Sequence, residues 1–384
     1  MKKKKLSILI YSLAGGGAER VVSILLDELQ DKYDITLVLM SDVIEYDIPS
    51  NIKIFFIEKS NPNESGIKKL LKLPILAYRY KVFCIKNSIE ISLAFMNRPS
   101  YISILSKIFG NKIKFIISER TTPSQMYNKK NITSYTSKFL IKLLYPKADK
   151  IISNSIGNRD DLVDNFYIHK NKIVVIYNPF NLEKITNLSS LDVPNNIDFN
   201  IFTFITIGRL DKGKNHKLLI DAFNNLENKI TQLIILGYGS EYSFLKSYIS
   251  KLNLDDRVFL LGFDNNPYKY LSKSDVFVFT SNYEGFPNVL VEALACSLPV
   301  ISTDCLNGPR EILSTLKYSI KYNEIEYSKY GILVAVNNQS TLSIAMDKIL
   351  DNKQLRLKYK NLSKNRAKEF DKSKILQSFI KILG

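Results

Sequence analysis

Two doubly wound α/β units, one after the other, are the fold that this sequence predicts. Its 384 residues exceed what a single compact core usually holds, since domains average ~150 residues. Short apolar runs alternate with helical patterns, which is typical of a parallel sheet covered on both faces. The alternation stops over residues 178–200, which are rich in Asn, Ser and Pro, and then restarts. We therefore expect a first domain at residues 1–178, a linker at 179–200 and a second domain at 201–370.

The elements of the first domain follow from apolar runs and helical spacing. Each strand is a short and nearly continuous apolar run, the pattern of a strand that is buried on both faces. Pro74 is expected to break the second helix because it lacks a backbone donor. Strands are predicted at 6–11, 35–40, 52–57, 91–95, 113–118, 150–153 and 173–176, and helices at 18–29, 64–87, 101–109, 137–145 and 158–166.

The second domain repeats this alternation. Ligands of doubly wound sheets bind beyond the carboxyl ends of the strands, so a cleft between the two units is the expected site. The C-terminal segment 371–384 reads as a helix, which we expect to pack back on the first domain. Strands are predicted at 202–207, 232–236, 258–261, 276–280, 300–302 and 332–336, and helices at 217–225, 241–252, 287–297, 341–350, 354–370 and 373–383.

Composition excludes several classes of protein. Hydrophobic residues make up 45% of the chain and charged residues 24%, which are ordinary values for a globular protein and rule out wholesale disorder. There is no run of ~18 apolar residues for a membrane-spanning helix, and the N-terminus lacks the pattern of a signal peptide. The three cysteines, Cys84, Cys296 and Cys305, have no metal-binding spacing. We therefore expect a cytoplasmic protein in a reducing compartment.

Positive charge is concentrated in one part of the chain. The net charge is +17, and residues 59–150 hold 18 basic residues against four acidic ones, a net +14. Segments 67–73 and 139–145 mix lysines with apolar residues at helical spacing, a pattern of helices that lie in a membrane interface. The alternative is an ordinary helix on a sheet whose lysines reach water. We predict a peripheral protein bound to an anionic membrane surface, and no nucleic-acid partner because no nucleic-acid-binding motif accompanies the charge.

A glycine-rich loop follows the first strand. It reads Ala14-Gly15-Gly16-Gly17-Ala18-Glu19-Arg20. Glycines let the backbone approach a ligand closely, and the first amides of the next helix favour an anion. The spacing is not that of the dinucleotide fingerprint, so a nicotinamide cofactor is not expected. A tight turn without a ligand is the alternative.

Basic residues follow the first strand of the second domain. The sequence there is Gly208-Arg209-Leu210-Asp211-Lys212-Gly213-Lys214-Asn215. Arg209 offers a planar fork for phosphate oxygens, and Lys214 offers a flexible point charge. Both leave the carboxyl end of a strand, where a diphosphate would lie. The pattern alone is only moderately specific, because basic loops are common on surfaces.

A pair of glutamates gives the most specific pattern. Strand 276–280 leads into Glu284-Gly285-Phe286-Pro287-Asn288-Val289-Leu290-Val291-Glu292. Pro287 suits the first turn of a helix, where its missing donor costs nothing. The amides that begin this helix carry partial positive charge, and carboxylates accept hydrogen bonds from hydroxyls. The pattern therefore predicts recognition of a sugar and a ribose.

These residues together resemble the family 4 glycosyltransferases, retaining enzymes of the GT-B fold that use nucleotide-sugar donors, here of the type that makes bacterial surface polysaccharides such as O-antigen or capsule. The resemblance spans nearly the whole chain. It is strongest in the register of the Glu-x7-Glu element with the upstream Arg/Lys pair. Other matching segments are Gly16-Gly17-Ala18-Glu19-Arg20, Ile176-Tyr177-Asn178-Pro179, Leu236-Gly237-Tyr238-Gly239, Val258-Phe259-Leu260-Leu261-Gly262, Ser274-Asp275-Val276, Glu292-Ala293-Leu294-Ala295 and Pro299-Val300-Ile301.

The resemblance implies roles for these residues. Arg209 and Lys214 would bind the donor diphosphate, Glu292 the ribose hydroxyls, and Glu284 the donor sugar. Glu284, Arg209 and Lys214 are thus the expected catalytic residues. The remaining expected donor-binding residues, several of them through backbone amides, are Gly17, Gly208, Gly237, Gly239, Gly285, Phe286, Pro287 and Asn288.

One position departs from the family pattern. Many members have a histidine after the strand that is here 113–118, whereas this sequence has Ser118-Glu119-Arg120-Thr121. Arg120 is expected to substitute as a cation on the acceptor side, together with Gly16, Glu19 and Glu119. The two histidines, His169 and His216, are expected at the surface.

The expected reaction needs no metal or other cofactor, since no Asp-x-Asp occurs in the chain. Arg209, Lys214 and the helix amides would stabilise the leaving nucleoside diphosphate, in a front-face displacement with retention. A hexose or N-acetylhexosamine would pass from a nucleotide sugar, expected to be a UDP-sugar, to a polyprenyl-diphosphate-linked saccharide at the inner face of the plasma membrane. The alternatives are a sugar-nucleotide epimerase and a non-catalytic polyanion-binding protein of the same fold.

Overall fold

The computed structural model describes residues 3–59, 64–193, 197–316 and 319–384. The chain divides into two compact units: Met1–Phe180 together with Lys372–Gly384, and Asn181–Asp371. The division falls at Phe180 and Asp371, where the sequence analysis expected residues 178 and 370. Residues 60–63 of the basic window and 194–196 of the expected linker lie outside the described residues.

A seven-stranded parallel sheet forms the centre of the first unit, in the order β3-β2-β1-β4-β5-β6-β7. The sequence order reverses at β1, between β2 and β4. Ligands of doubly wound sheets bind at such a point, beyond the carboxyl ends of the strands. The strands are β1 (Lys4–Ile10), β2 (Tyr33–Leu39), β3 (Lys53–Phe56), β4 (Ile91–Phe95), β5 (Lys114–Glu119), β6 (Lys150–Ser153) and β7 (Ile173–Val175).

Helices cover this sheet, and buried apolar residues fill the space on each face. The predicted break at Pro74 is confirmed, because one helix ends at Leu71 and the next has Pro74 in its first turn. The helices are α1 (Gly17–Leu29), α2 (Gly66–Leu71), α3 (Leu73–Lys86), α4 (Asn97–Ile108), α5 (Pro123–Met126), α6 (Ile132–Leu144) and α7 (Ile156–Phe166), with the C-terminal α16 (Lys372–Leu383) in the same unit.

The second unit repeats the arrangement, with the strand order β10-β9-β8-β11-β12-β14-β13. The sequence order of its strands reverses at β8. Among the described strands of this sheet, only the edge strand β13 runs antiparallel to its neighbour, β14. The strands are β8 (Phe202–Ile207), β9 (Thr231–Leu236), β10 (Val258–Gly262), β11 (Val276–Phe279), β12 (Val300–Thr303), β13 (Ile325–Tyr327) and β14 (Ile332–Val334); the helices are α8 (Leu182–Ser189), α9 (His216–Asn224), α10 (Tyr242–Lys251), α11 (Tyr268–Lys273), α12 (Asn288–Ala295), α13 (Pro309–Leu313), α14 (Gln339–Asp351) and α15 (Lys353–Ala367).

Five short helices and strands differ from the prediction. Helix α8 lies inside the segment expected to be a linker, where the Asn181 side chain accepts a hydrogen bond from the Lys184 amide and begins the helix. Helices α5, α11 and α13 and strand β13 were also not predicted. Each of the five elements has three to eight residues, too few for a periodic pattern to stand out.

No helix in the described ranges is long and apolar enough to cross a membrane.

Candidate active site

The loop after β8 carries the two predicted phosphate-binding cations. Arg209 is largely exposed, and its Nε lies 2.5 Å from Oδ2 of Asp211. Oδ1 of Asp211 accepts hydrogen bonds from the amides of Gly213 (2.9 Å) and Lys214 (3.2 Å), which shapes the turn. Burial opposes ionisation of Asp211, but Arg209 and these amides hold the pKa of its carboxyl below the usual value. The loop is therefore ordered around a charged Asp211.

Lys214 and Glu284 meet although they come from different strand ends. Nζ of Lys214 lies 2.5 Å from Oε1 of Glu284, and the two side chains are only 24% and 15% exposed. The hydroxyl of Thr280, directly after β11, donates to the Lys214 carbonyl (2.9 Å). Nζ of Lys214 also lies 5.4 Å from the centre of the Phe279 ring. The structure thus brings together two of the three predicted catalytic residues.

Backbone contacts join the two loops that carry this pair. The amide of Asn282 donates to the Gly213 carbonyl at 2.8 Å. Asn215 has a left-handed backbone (φ 52°), and its side-chain amide donates to the Asn282 side chain at 3.2 Å. Asparagine tolerates this backbone region better than most residues. Sequence analysis quoted Asn215 only as part of a motif and did not single out Asn282.

Helix α12 begins one residue later than predicted, at Asn288, so Pro287 immediately precedes the helix. The Phe286 ring is buried and lies 5.6 Å from the Phe370 ring, so this residue can offer only its backbone to a ligand. Glu292, one helical turn after Asn288, is 3% exposed. The buried carboxylate and the helix amides are therefore placed on one short helix that directly follows the Glu284 loop.

Gly308 packs closely against Pro287, the residue that precedes α12. Its φ is +94°, and a Cβ built there would lie 2.2 Å from Cδ of Pro287. The preceding Leu306 carbonyl accepts a weak hydrogen bond from the Glu284 amide at 3.4 Å. Sequence analysis missed Gly308, although Asn307-Gly308 is a dipeptide typical of turns with positive φ.

Gly237 and Gly239 allow two loops to approach each other closely. A Cβ on Gly237 would lie 1.9 Å from the Gly208 carbonyl oxygen, and one on Gly239 would lie 2.3 Å from the Leu210 carbonyl oxygen. Both glycines therefore position the Arg209 loop. Gly208 itself has room for a Cβ, whose nearest neighbour is the Lys214 side chain at 3.7 Å.

The surface position expected for His216 is wrong. His216 is the first residue of α9 and is 4% exposed, whereas His169 is exposed as expected. Burial, with the nearby Lys214 charge, lowers the pKa of the His216 imidazole to about 4. A polar residue next to a basic loop looks exposed in a sequence, but here the helix start turns it inward.

In the first unit, Glu19 folds back on the glycine-rich loop. The Glu19 carboxyl accepts hydrogen bonds from the Ala18 and Glu19 amides, and burial, the larger effect, raises its pKa. A Cβ on Gly16 would lie 2.2 Å from Glu19 Oε2, so a larger residue there would displace the Glu19 carboxyl. Gly17, the first residue of α1, is exposed. Glu19 thus caps the helix N-terminus that sequence analysis assigned to an anion.

Glu119 is fully buried at the end of β5, and its carboxylate accepts hydrogen bonds from residues of the same unit. Oε2 accepts from the Tyr145 hydroxyl (2.7 Å), and Oε1 accepts from the Thr121 hydroxyl (2.8 Å) and the Arg120 amide (2.9 Å). Burial raises the pKa of its carboxyl, and these donors oppose the rise. Glu119 therefore organises the loop that carries Arg120.

The Arg120 guanidinium is also buried, and the residue is 7% exposed. Nη1 donates to Oδ1 of Asn178 at 2.8 Å, and the guanidinium carbon lies 4.9 Å and 5.9 Å from the centres of the Phe95 and Phe379 rings. Burial lowers the pKa of Arg120 to about 9, and the charge of Glu119 opposes the shift. Arg120 thus stands where β4, β5 and β7 end.

Two family models match the chain. Glycosyltransferase Family 4 covers residues 15–184, and Glycosyl transferases group 1 covers residues 192–368. This chain is a family 4 glycosyltransferase.

Relatives extend over its whole length. The transferase is 46% identical over 380 residues, 99% of both chains, to a Campylobacter jejuni enzyme named N-acetylgalactosamine-N,N'-diacetylbacillosaminyl-diphospho-undecaprenol 4-alpha-N-acetylgalactosaminyltransferase. It is 25% identical, over 99% of its length and 98% of the relative's, to a second C. jejuni alpha-1,4-N-acetyl-D-galactosaminyltransferase that acts on a PP-undecaprenol-linked saccharide.

A solved structure supports the fold. The transferase matches the crystal structure of Anabaena HepE in complex with UDP with a TM-score of 0.78 and 19% identity over 99% of each chain. Its two α/β units, each with a parallel-dominated sheet, are those of the GT-B fold. The predicted family and fold class are confirmed.

Proposed function

We propose that this transferase moves an N-acetylhexosamine or a hexose from a nucleoside-diphosphate sugar, expected to be a UDP-sugar, to a saccharide carried on a polyprenyl diphosphate. The pair of Lys214 and Glu284, 2.5 Å apart, carries the donor half of the proposal. The C. jejuni relative named for a diphospho-undecaprenol-linked acceptor supports the acceptor half. Such a reaction would serve the assembly of a surface polysaccharide.

The donor half assigns one role to each group of the second unit. Arg209 and Lys214 bind the diphosphate, because a guanidinium and an ammonium both favour phosphate oxygens. Glu284 and the amides of Gly285, Phe286 and Asn288 bind the sugar, while Glu292 binds the ribose hydroxyls. Gly208, Gly237, Gly239 and Pro287 shape this site.

The reaction breaks the bond between the anomeric carbon and the diphosphate oxygen and forms one to the acceptor oxygen. We propose that the acceptor hydroxyl gives its proton to the departing diphosphate and attacks from the same face, so that configuration is retained. Negative charge grows on the diphosphate, and Arg209, Lys214 and the α12 amides stabilise it without a metal. Added EDTA is then expected to leave the rate unchanged, and NMR of the product gives the anomeric configuration.

The acceptor half requires access to a membrane, and α6 offers a surface for it. Ile132, Tyr135, Phe139 and Leu143 recur every three to four residues along α6 and are all exposed, which is unusual for a helix of a globular protein. Lys142 is exposed beside them. An apolar stripe with neighbouring lysines fits an anionic phospholipid interface.

Helix α2 extends this surface. Ile67 and Leu71 are exposed on it, and a Cβ on Gly66 would lie 3.9 Å from the Thr133 side chain at the start of α6, so the two helices adjoin. Lys72, directly after α2, pairs with Glu58 (3.0 Å) and Glu64 (2.5 Å), which fixes the helix on the unit. We name these exposed residues the docking surface: Ile67, Leu71, Ile132, Tyr135, Phe139, Leu143 and Lys142. We propose that it binds the inner face of the plasma membrane.

A transfer assay tests the proposed function. The purified chain is incubated with UDP-GalNAc, UDP-GlcNAc, UDP-galactose or UDP-glucose and a lipid-diphosphate-linked saccharide, and the lipid product is resolved by mass. The expected result is addition of one sugar with one donor preferred. Conversion of the nucleotide sugar without an acceptor would instead indicate an epimerase. Binding of RNA or heparin with no saturable nucleotide binding would indicate a non-catalytic protein.

A further inference from the structure

Arg120 is a buried cation with one edge that the rest of the first unit does not use. Its Nη1 is bonded to Asn178, but in the described part of the chain Nε and Nη2 have no hydrogen-bond partner, although both atoms are buried. A buried polar atom without a partner is rare in native proteins, and a charged one is especially costly. We therefore expect a ligand to accept hydrogen bonds from Nε and Nη2.

Nε and Nη2 present the edge on which two N–H groups point in parallel. This is the edge that binds two oxygens of a carboxylate or a phosphate at once. In Arg159 of the same unit this edge is occupied by a carboxylate: its Nε and Nη2 lie 2.8 Å and 2.7 Å from a single oxygen, Oδ1 of Asp160. Arg120 has its sequence neighbour Glu119 at hand, but the Glu119 oxygens are bonded to Tyr145, Thr121 and the Arg120 amide.

The surroundings of Arg120 hold its guanidinium in place. Phe95, the last residue of β4, and Phe379 of α16 both have their ring centres within 6 Å of the guanidinium carbon. The Asn154 side chain donates to the Arg120 carbonyl at 3.1 Å, so β6 also fixes the backbone. The cation thus lies at the carboxyl edge of the sheet, where doubly wound folds bind ligands.

We propose that the Nε–Nη2 edge of Arg120 binds two oxygens of a diphosphate. This inference rests on the proposed function, which names two molecules that carry a diphosphate: the lipid-linked acceptor and the nucleotide sugar. The chemistry is the same in both: a dianionic group received by a fixed, buried guanidinium. Lysine cannot replace it, because an ammonium has no pair of parallel donors.

Calorimetry on the full chain tests the proposal without requiring sugar transfer. The probes are farnesyl diphosphate, for the lipid source, and UDP, for the nucleotide source. The variants are Arg120→Lys, which keeps the charge, and Arg120→Met, which removes it but keeps an unbranched side chain. Arg159→Met is the matched control, since the same edge there already holds a carboxylate. Thermal unfolding of each variant is measured beside the binding.

Both Arg120 variants are expected to weaken one probe by about tenfold or more, because charge-assisted hydrogen bonds are lost. A loss for farnesyl diphosphate assigns the acceptor diphosphate, and a loss for UDP assigns the donor diphosphate. The melting temperature of Arg120→Met is expected to equal or exceed that of the parent chain, since an unpaired buried charge is removed.

Unchanged affinity for both probes in a folded Arg120→Lys or Arg120→Met chain would overturn the proposal and leave Arg120 with bound water only. The same holds if the parent chain binds neither probe, or if Arg159→Met weakens binding equally. If the parent chain binds a diphosphate through Arg120 but transfers no sugar with any donor, the proposed function fails while this inference stands.

Discussion

Nζ of Lys214 lies 2.5 Å from Oε1 of Glu284, although 70 residues separate them in sequence. Lys214 leaves the end of β8 and Glu284 the end of β11, which are neighbours in the sheet of the second unit. The pair places a cation and an anion side by side in a partly buried position. Fixed charges of this kind need little reorganisation during a reaction, which is how enzymes obtain much of their electrostatic stabilisation.

Lys214→Ala and Glu284→Gln are each expected to lower kcat/KM for sugar transfer by about 10²–10³. The first removes the charge proposed to stabilise the leaving diphosphate, and the second removes an acceptor for the sugar hydroxyls. Initial rates at several donor concentrations measure the effect. Because the two residues contact each other, the double variant is expected to lose less than the product of the two single losses.

Lys217→Ala is the matched control for this prediction. Lys217 lies on α9 three residues further along, is about half exposed and pairs with Asp221 four residues on. A partly exposed ion pair at this spacing on a helix contributes only about 0.3–0.5 kcal/mol. The Lys217 variant should therefore transfer sugar at the parent rate. A folded Lys214→Ala chain with the parent rate would rule out the role assigned to Lys214.

Gly308→Ala is expected to disturb the Glu284 loop, which we propose binds the donor sugar. The new Cβ would lie 2.2 Å from Cδ of Pro287, at the start of α12, and the φ of +94° is unfavourable for alanine. Gly262→Ala separates the two effects, because its φ is +74° but nothing lies within 4 Å of the new Cβ. We expect both variants to be destabilised by about 1 kcal/mol from the backbone alone.

The clash should make Gly308→Ala the worse of the two, with a larger fall in the free energy of unfolding and a clear loss of transfer activity. Urea denaturation and the transfer assay measure these quantities. Equal stability and equal activity of the two variants would mean that the Pro287 contact is unimportant for the site.

The sheets could be predicted from the sequence because their strands are buried on both faces. All residues of β4 and of β9 are buried, and most residues of each strand are apolar. The glycine-rich loop, the Arg209 loop and the Glu284 loop were found for a related reason: each directly follows such a strand. The predicted strands thus showed which motifs lie at strand ends.

Contacts between distant loops could not be predicted in this way. The closeness of Gly308 to Pro287 and the bond of Arg120 to Asn178 depend on how loops from different strands meet. The burial of His216 depends likewise on the start of α9 turning inward. No periodic pattern in a single sequence reports such contacts, and short elements such as α8 carry too few residues for one.

His216 predicts a specific dependence of stability on pH. Its pKa is lowered from 6.5 to about 4, chiefly by burial, so the folded chain keeps it neutral while the unfolded chain protonates it below pH 6.5. Between these values the unfolded state binds more protons, and the free energy of unfolding falls as the pH is lowered, by up to about 3 kcal/mol. Urea denaturation at pH 7 and at pH 4.5 measures the fall.

Two variants isolate this effect from that of the carboxyl groups. His216→Gln should flatten the decrease between pH 7 and 4.5, because glutamine does not titrate. His169→Gln should follow the parent chain, since His169 is exposed and is the only other histidine in the sequence. The assignment fails if both variants show the same slope as the parent.

The docking surface predicts how the chain binds vesicles. Ile67→Ser with Leu71→Ser, or Phe139→Ser alone, removes exposed apolar area that would enter the lipid interface, and full burial of such a side chain is worth about 1.5–3 kcal/mol. Binding to vesicles that contain phosphatidylglycerol should therefore fall about tenfold or more in sedimentation. Ile230→Ser, at a more exposed isoleucine of the second unit, is the control and should bind like the parent. Parent binding that is equal for neutral and anionic vesicles, or variants that bind like the parent, would contradict this role for α2 and α6.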